Sequence, residues 1–353
     1  MSKHVAPRKR LILILLGFLA FVCVLGYRYV SVEFFPNFSV SADQQVYVYV
    51  YAGTTVDDIR AQLEQADVVN NVSAFVSYAS RSDYASRFRT GRYRVLDGMT
   101  NRTLIKHILS GAQEPVQFKF NNIRTKEQLS ARIAKQLMVD SVTIHALLDS
   151  AAFLKPFQVT PETSLVLFIP NTYEIYWNIS AEKLVERMYQ ESQRFWNSER
   201  LAQAKAAHLT PTEVSILASI VDEETNIAHD KPIIAGLYLN RMHRGMPLQA
   251  CPTVKYAVGD FSLTRILSSH TRVDSPYNTY KYKGLPPGPI RMASIQGIDA
   301  VLNYMPSNYI YMCASDKLDG THNFAATYAE HSRHSQRYHL AYQKWLRRKE
   351  AHK

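Results

Sequence analysis

Cysteine is scarce: three occur among 353 residues, and Cys23 lies inside an apolar run near the N-terminus. No C-x-x-C pair or His/Cys cluster accompanies them, which argues against a structural zinc site and leaves no metal to propose. Cys251 and Cys313 are the only thiols left to the remainder of the chain, where they could form one disulfide. Zinc-finger spacing, a Walker A sequence and an RNP-type aromatic box are also absent, so we expect no nucleic-acid partner. The net charge of +11 then needs another account. Lipid headgroups, an anionic polymer or a merely solvated basic surface would each satisfy it.

What is present begins with length: 353 residues, 46% hydrophobic and 20% charged, suffice for two compact units. The basic start MSKHVAPRKR precedes LILILLGFLAFVCVLGY, Leu11 to Tyr27, with no charge before Arg28, and that length suits a membrane span. Arg8, Lys9 and Arg10 should hold the N-terminus in the cytoplasm. A cleavable signal peptide would have a shorter core and a nearby small-residue site, whereas the nearest candidate, Val40-Ser41-Ala42, is far downstream. Val22 before Cys23 argues against a lipoprotein. The expectation is an uncleaved anchor over residues 11–30 with the rest facing outward.

Between residues 45 and 137 one pattern recurs three times: VYVYVYAGTTVDDIRAQL, GRYRVLDGMTNRTLIKHIL and VQFKFNNIRTKEQLSARIAKQL. Each is an alternating strand-like run, a polar turn and a helix-like run. Thr55 with Asp58, and Thr125 with Gln128, have N-cap spacing. The pattern predicts a small α/β unit without catalytic groups; it could be a spacer, or it could grip a polymer, with Tyr93 and its neighbours offering faces to sugar rings. After about residue 140 the helical runs lengthen. FIPNTYEIYW, Phe168 to Trp177, suits either a sugar-binding surface or a packed corner, and Tyr328 to Lys349 reads as a basic amphipathic helix covering the domain.

Thr210-Pro211-Thr212-Glu213 is a strong helix start, and the helix should continue through VSILASIVDEET. At about 100° per residue, Glu224 falls near the middle of the apolar arc, Glu223 at its edge and Asp222 on the opposite, polar side. An inward carboxyl must either pair with a base, for which Arg241 is the candidate, or raise its pKa and hold a proton, as a general acid does. Both readings stay open on these residues. Downstream, GMPLQACPTVKYAVG, SPYNTYKYKGLPPGPI and Asp319–Phe324 read as cleft-forming loops. Tyr277, Asn278 and Tyr280 supply ring faces and an amide suited to sugars, and the glycines of GLPPGPI could bring backbone close to a ligand. His322, His331 and His334 could suggest a metal or a second base, although surface histidines of a basic tail are the commoner case and no metal is expected.

Taken together, ASIVDEET, LNRMHRGMPLQACPTVKYAVG, YNTYKYKGLPPGPI and the later Gly-Thr-His-Asn-Phe resemble the endolytic murein transglycosylase family, also called MltG or YceG-like. FIPNTYE is similar to its PxTY(E) loop, and the first two repeats to its LysM-like subdomain. The resemblance implies an α+β protein: a cytoplasmic N-terminus at 1–10, the anchor, a LysM-like glycan-binding subdomain at 45–115 and a catalytic domain at 116–350. It implies a single-pass enzyme of the bacterial inner membrane with its catalytic domain in the periplasm. Such an enzyme cleaves the MurNAc–GlcNAc bond of nascent strands to leave anhydro ends and terminate elongation, needs no cofactor, and works beside peptidoglycan synthases. In the family's E-x-E-T pattern the second acid is catalytic, which is Glu224 here; Asp222 fills the first position. Asn240, Arg241, Gln249, Tyr277, Asn278, Tyr280 and Tyr173 are the expected substrate contacts. Two departures stand out, Cys251 and Asn171, where the family often has Asp.

Overall fold

The computed structural model of the chain describes residues 7–81 and 84–351. Residues 1–6, and the side chains of Arg8, Lys9 and Arg10 on which the expected orientation of the N-terminus rests, lie outside what it describes. Helix α1 spans Pro7–Phe34. Its stretch Leu11–Phe34, mean hydropathy 2.4, is the one helix among the described residues that is long and apolar enough to cross a membrane; its most apolar part is fully uncovered, while Val32 and Glu33 near its end pack against the helices Val72–Ala79 and Asn101–Ser110. The apolar helix thus runs four residues past the expected limit at residue 30, to Phe34.

Two units divide the chain: residues 1–117 with 174–178, and 118–173 with 179 onward. In the first, β1 (Val46–Val50), α2 (Val56–Gln65), α3 (Val72–Ala79), β2 (Gly91–Val95) and α4 (Asn101–Ser110) follow in order. β1 and β2 pair antiparallel, Val46 opposite Val95 and Val50 opposite Gly91. Period-two alternation buries Val48, Val50, Tyr93 and Val95 against Ile59, Leu63, Leu104 and Ile108. Thr55 and Asp58 form a reciprocal capping box at the start of α2. The sequence repeat is real at the level of elements, yet α3 interrupts it. Tyr93 corrects one expectation: parity places it on the inner face, fully buried, with its hydroxyl donating to the Arg89 carbonyl at 2.7 Å, so it offers no face to a sugar.

The third repeat is built as β3 (Val116–Lys119) and α5 (Lys126–Gln136), but β3 pairs with β4 (Thr172–Ile175), not with β1 or β2. Between them lie α6 (Ser141–Asp149) and α7 (Ala151–Leu154). The loop around β4 is a packed corner: Phe168, Ile169, Tyr173, Ile175 and Trp177 are all buried. Helices α8 (Ala181–Phe195), α9 (Ser198–Ala206), α10 (Pro211–Glu224), α11 (Asp230–His243) and α12 (Cys251–Val258) come next, then α13 (Ile295–Leu302). β5 (Tyr311–Ala314) and β6 (His322–Ala325) form an antiparallel pair against which α14 (Tyr328–Ala351) packs. The described chain is thus a mixed helix/strand protein with small two-stranded sheets and one apolar N-terminal helix.

α10 is the centre of the second unit. Its Thr210–Glu213 capping box forms as expected, and Val214 through Asp222 are all buried. α11, α12 and α13 pack around it, so no side of its middle faces solvent. The helix stops at Glu224, sooner than the sequence suggested: Thr225 is extended (φ −150°, ψ 145°) and its hydroxyl accepts the Ile227 amide at 3.0 Å.

Candidate active site

The last turn of α10 presents three consecutive acids, each with a different partner. Asp222 is the most buried and pairs with Lys231; it also accepts the Ser294 amide at 2.7 Å and hydroxyl at 2.9 Å, at the N-cap of α13. This corrects the expectation that Asp222 faces a polar side, because the projection presumes solvent on one side of a helix that is enclosed. Gly297 belongs to the same arrangement, since a Cβ there would lie 2.6 Å from both Asp222 oxygens. Glu223 is held by Arg124 at 2.9 Å and Arg291 at 2.8 Å. Its role is to tie α10 to the 122–124 turn and the loop before α13.

Glu224 differs. Among the described residues no cation lies within ion-pair distance of it; its hydrogen bond is from the Tyr238 hydroxyl of α11, 2.6 Å to Oε1. Burial pushes its pKa above the ordinary 4.5, only partly opposed by the Tyr238 bond and by the more distant His322 and Arg241. The Tyr238 hydroxyl is itself raised well above its usual range by burial and by the adjacent carboxyl, so it stays protonated and can only donate to an ionised partner. Arg241, the expected salt-bridge partner, is committed elsewhere: its guanidinium donates to the carbonyls of Ile310 at 2.6 Å and Leu248 at 2.7 Å, and to Gln249 Oε1 at 3.3 Å. It joins two walls of the site and leaves Glu224 without a counter-ion.

Those walls enclose a cavity of about 410 Å³ with Glu224 and Tyr238 on its inner side. All three loops singled out in the sequence reach it, through Gln249 and Cys251, through Tyr280, and through His322. Of the expected substrate contacts, Arg241, Gln249 and Tyr280 therefore line the cavity with Glu224. The others are not among its lining residues. Asn240 donates to the Ser307 and Tyr309 carbonyls, and Asn278 to those of Thr271 and Val273, leaving neither amide free to donate to a ligand. Tyr277 packs on Tyr256, and Tyr173 stacks on Phe120 with its hydroxyl bonded to the Ile169 carbonyl. Gly288 of GLPPGPI brings its backbone against the Glu162 carbonyl, where a Cβ would sit 2.0 Å away, so this loop's close approach is to the protein itself.

Cys251 and Cys313, the pair expected as a possible disulfide, both line the cavity, as free thiols in this structure. Cys251 Sγ lies 3.2 Å from the Tyr280 hydroxyl, and burial raises its pKa. His322 is the residue whose placement the sequence did not decide. Its backbone amide donates to Asp230 Oδ2 at 2.8 Å and its Nδ1 lies 3.0 Å from the same oxygen, so a buried carboxylate fixes the ring at the cavity wall. His331 also lines the cavity, stacked on Tyr311, and burial lowers its pKa.

A carboxyl biased toward its protonated form, hydrogen-bonded to one phenol and open to a polar cavity, is equipped to deliver a proton and take one back. A sequence model described as the YceG-like family matches residues 48–337. A protein of Streptococcus pneumoniae named endolytic murein transglycosylase is 28% identical over 90% of this chain, which spans 64% of that relative's length. One of the same name from Bacillus subtilis is 28% identical, covering 83% of this chain and 84% of the relative. The crystal structure of a yceG-like protein from Listeria monocytogenes superposes with a TM-score of 0.54 at 26% identity, over 83% of this chain and 99% of the other. Matched over residues 48–337, from within β1 into α14, the chain belongs to the YceG-like family.

Proposed function

We propose that the chain is a membrane-anchored lytic transglycosylase that cuts peptidoglycan glycan strands internally, with Glu224 as acid and then base. The observation that carries this reading is the state of Glu224: raised pKa by burial, a phenol in place of a counter-ion, and a cavity in front of it. Glu224 protonates the glycosidic oxygen as the bond from MurNAc C1 breaks. The substrate's own C6 hydroxyl attacks C1, and its proton passes to the Glu224 carboxylate, which restores the acid and leaves a 1,6-anhydro end. One carboxyl serves both transfers, whereas hydrolases with paired carboxylates use the second on water or as nucleophile. Supporting the substrate class are the names of the Streptococcus and Bacillus relatives.

In this reading α1 anchors the enzyme in the inner membrane with the remainder in the periplasm, and residues 45–115 form the LysM-like unit that grips the strand. Tyr51, exposed at the end of β1, suits that grip better than Tyr93. Synthases that extend the strand are the natural partners of an enzyme that terminates it. A non-catalytic scaffold with a salt-bridged core acid is the alternative, and it asks for a cation beside Glu224; among the described residues none is in ion-pair contact. Peptidoglycan digested with the protein should yield anhydro-ended fragments by mass spectrometry. Ordinary reducing ends would make it a hydrolase, and no release at all would favour the scaffold.

Tyr238→Phe provides a finer test. The Tyr238 bond favours the ionised carboxyl, so its loss raises the Glu224 pKa further. The alkaline limb of the activity profile, where Glu224 loses its proton, should move to higher pH. A limb that stays in place would remove Tyr238 from control of the acid.

A further inference from the structure

α14 continues beyond the family match, which ends at residue 337. On that extension Tyr338, Tyr342 and Trp345 stand four and three residues apart, on one side of the helix. Their rings form a near-parallel ladder: Tyr338 and Tyr342 lie 5.9 Å apart at 17°, and Tyr342 and Trp345 lie 5.7 Å apart at 19°. Tyr342 remains 40% exposed and Trp345 39%, so the ladder is not consumed by packing. With Leu318 and Thr321 of the turn between β5 and β6, the three rings line a groove of about 310 Å³. This groove shares Ala314 and His322 with the Glu224 cavity.

We propose that the groove is a subsite for sugar rings of the same glycan strand whose scissile bond lies at Glu224, the strand passing over His322; this rests on the transglycosylase reading. Continuity with the cavity names the occupant, because a polymer cut internally must extend beyond the reacting bond, and the shared wall leaves it this route. The lining chemistry agrees. Pyranose rings have flat C–H faces that pack on aromatic rings, and their hydroxyls find partners such as Thr321 at the groove's edge. Lys349 of the same helix holds its Nζ 4.2 Å from the Trp345 ring centre, and Lys344, Arg347 and Arg348 add positive charge to that end of α14, a basic rim suited to a strand that carries carboxylates. An aliphatic ligand would gain nothing from that rim.

Trp345 also supplies the readout, being exposed whereas Trp177 and Trp196 are 5% and 8% exposed. In full-length Glu224→Gln protein, which holds strands uncut, uncrosslinked glycan strands of graded length are titrated against tryptophan emission and by calorimetry. Long strands should perturb Trp345 emission; the further change Trp345→Ala should weaken their binding about tenfold, with Trp345→Phe retaining most of it and the shortest fragments affected least. Equal affinity of the Ala variant for long strands would overturn the subsite, as would an equal loss for every length. Trp345-dependent binding by a protein whose wild type never cleaves would keep the groove and sink the transglycosylase reading instead.

Discussion

Glu224→Gln is expected to lose strand cleavage by at least about 10²–10⁴-fold, the range that a positioned acid/base contributes, while gaining thermal stability at neutral pH. The two effects have one origin. Burial raises the Glu224 pKa above 4.5, so in water near neutrality the unfolded chain carries an ionised carboxylate that folding must desolvate or protonate. Because the folded pKa is the higher one, this penalty is absent below the unfolded value. It grows as pH rises from there toward the folded pKa, and is constant above it. An amide bears no such cost and can still accept the Tyr238 hydroxyl. The melting temperature of the Gln variant should therefore exceed the wild type at pH 7, with the difference closing as pH falls toward about 4.5 and absent below it. A Gln variant that melts lower at neutral pH would mean that Glu224 is an ion-paired structural residue. One that cleaves normally would displace it as the acid.

Lys231→Met should produce the largest loss of stability, about 3–5 kcal/mol, because it strands the buried Asp222 charge. The side chains of Asp222 and Lys231 are 3% and 6% exposed, and among the described residues the other hydrogen bonds to the Asp222 carboxylate come from Ser294. That loss is a large share of the roughly 5–15 kcal/mol that a whole domain commands, and urea melts would read it as a lower midpoint. Adding Asp222→Asn should recover much of it: the amide oxygen still accepts from Ser294, and no charge is left unpaired. If the double variant is no better than Lys231→Met, the cost lies in lost packing of the lysine stem, not in the stranded carboxylate.

Local chemistry was legible in the sequence wherever a few neighbouring residues settle it. Thr55 and Thr210 cap the helices they seemed to cap, the strand–helix repeats are strands and helices, and an inward-facing Glu224 needed only the helical period. Misreadings came where surroundings decide. Asp222 looked solvent-facing because a projection cannot know that α10 is enclosed on every side. Tyr93 looked available because aromatic content says nothing of which strand face is inward. Nothing local shows that the Asn240 amide reaches the Ser307 and Tyr309 carbonyls far along the chain, or that the Asn278 amide holds the Thr271 and Val273 carbonyls. Tyr238 carries no signal beyond being a tyrosine in the apolar run IIAGLYLN, and Asp230 meets His322 across 92 residues, a pairing that no local pattern announces.

The five residues 174–178 belong with the first unit although the chain has by then begun the second. Trp177 packs on Tyr49 and Tyr51, and Asn178 donates to the Thr90 carbonyl while accepting from Gln113. On a ribosome, the first unit reaches Gln117 with this place empty, and about sixty further residues, roughly 3–12 s of synthesis, pass before Trp177 can fill it. The order of birth is thus not the order of completion: the earlier unit waits for a fragment of the later one, and a truncation starting at residue 118 would release a tryptophan with nowhere to go.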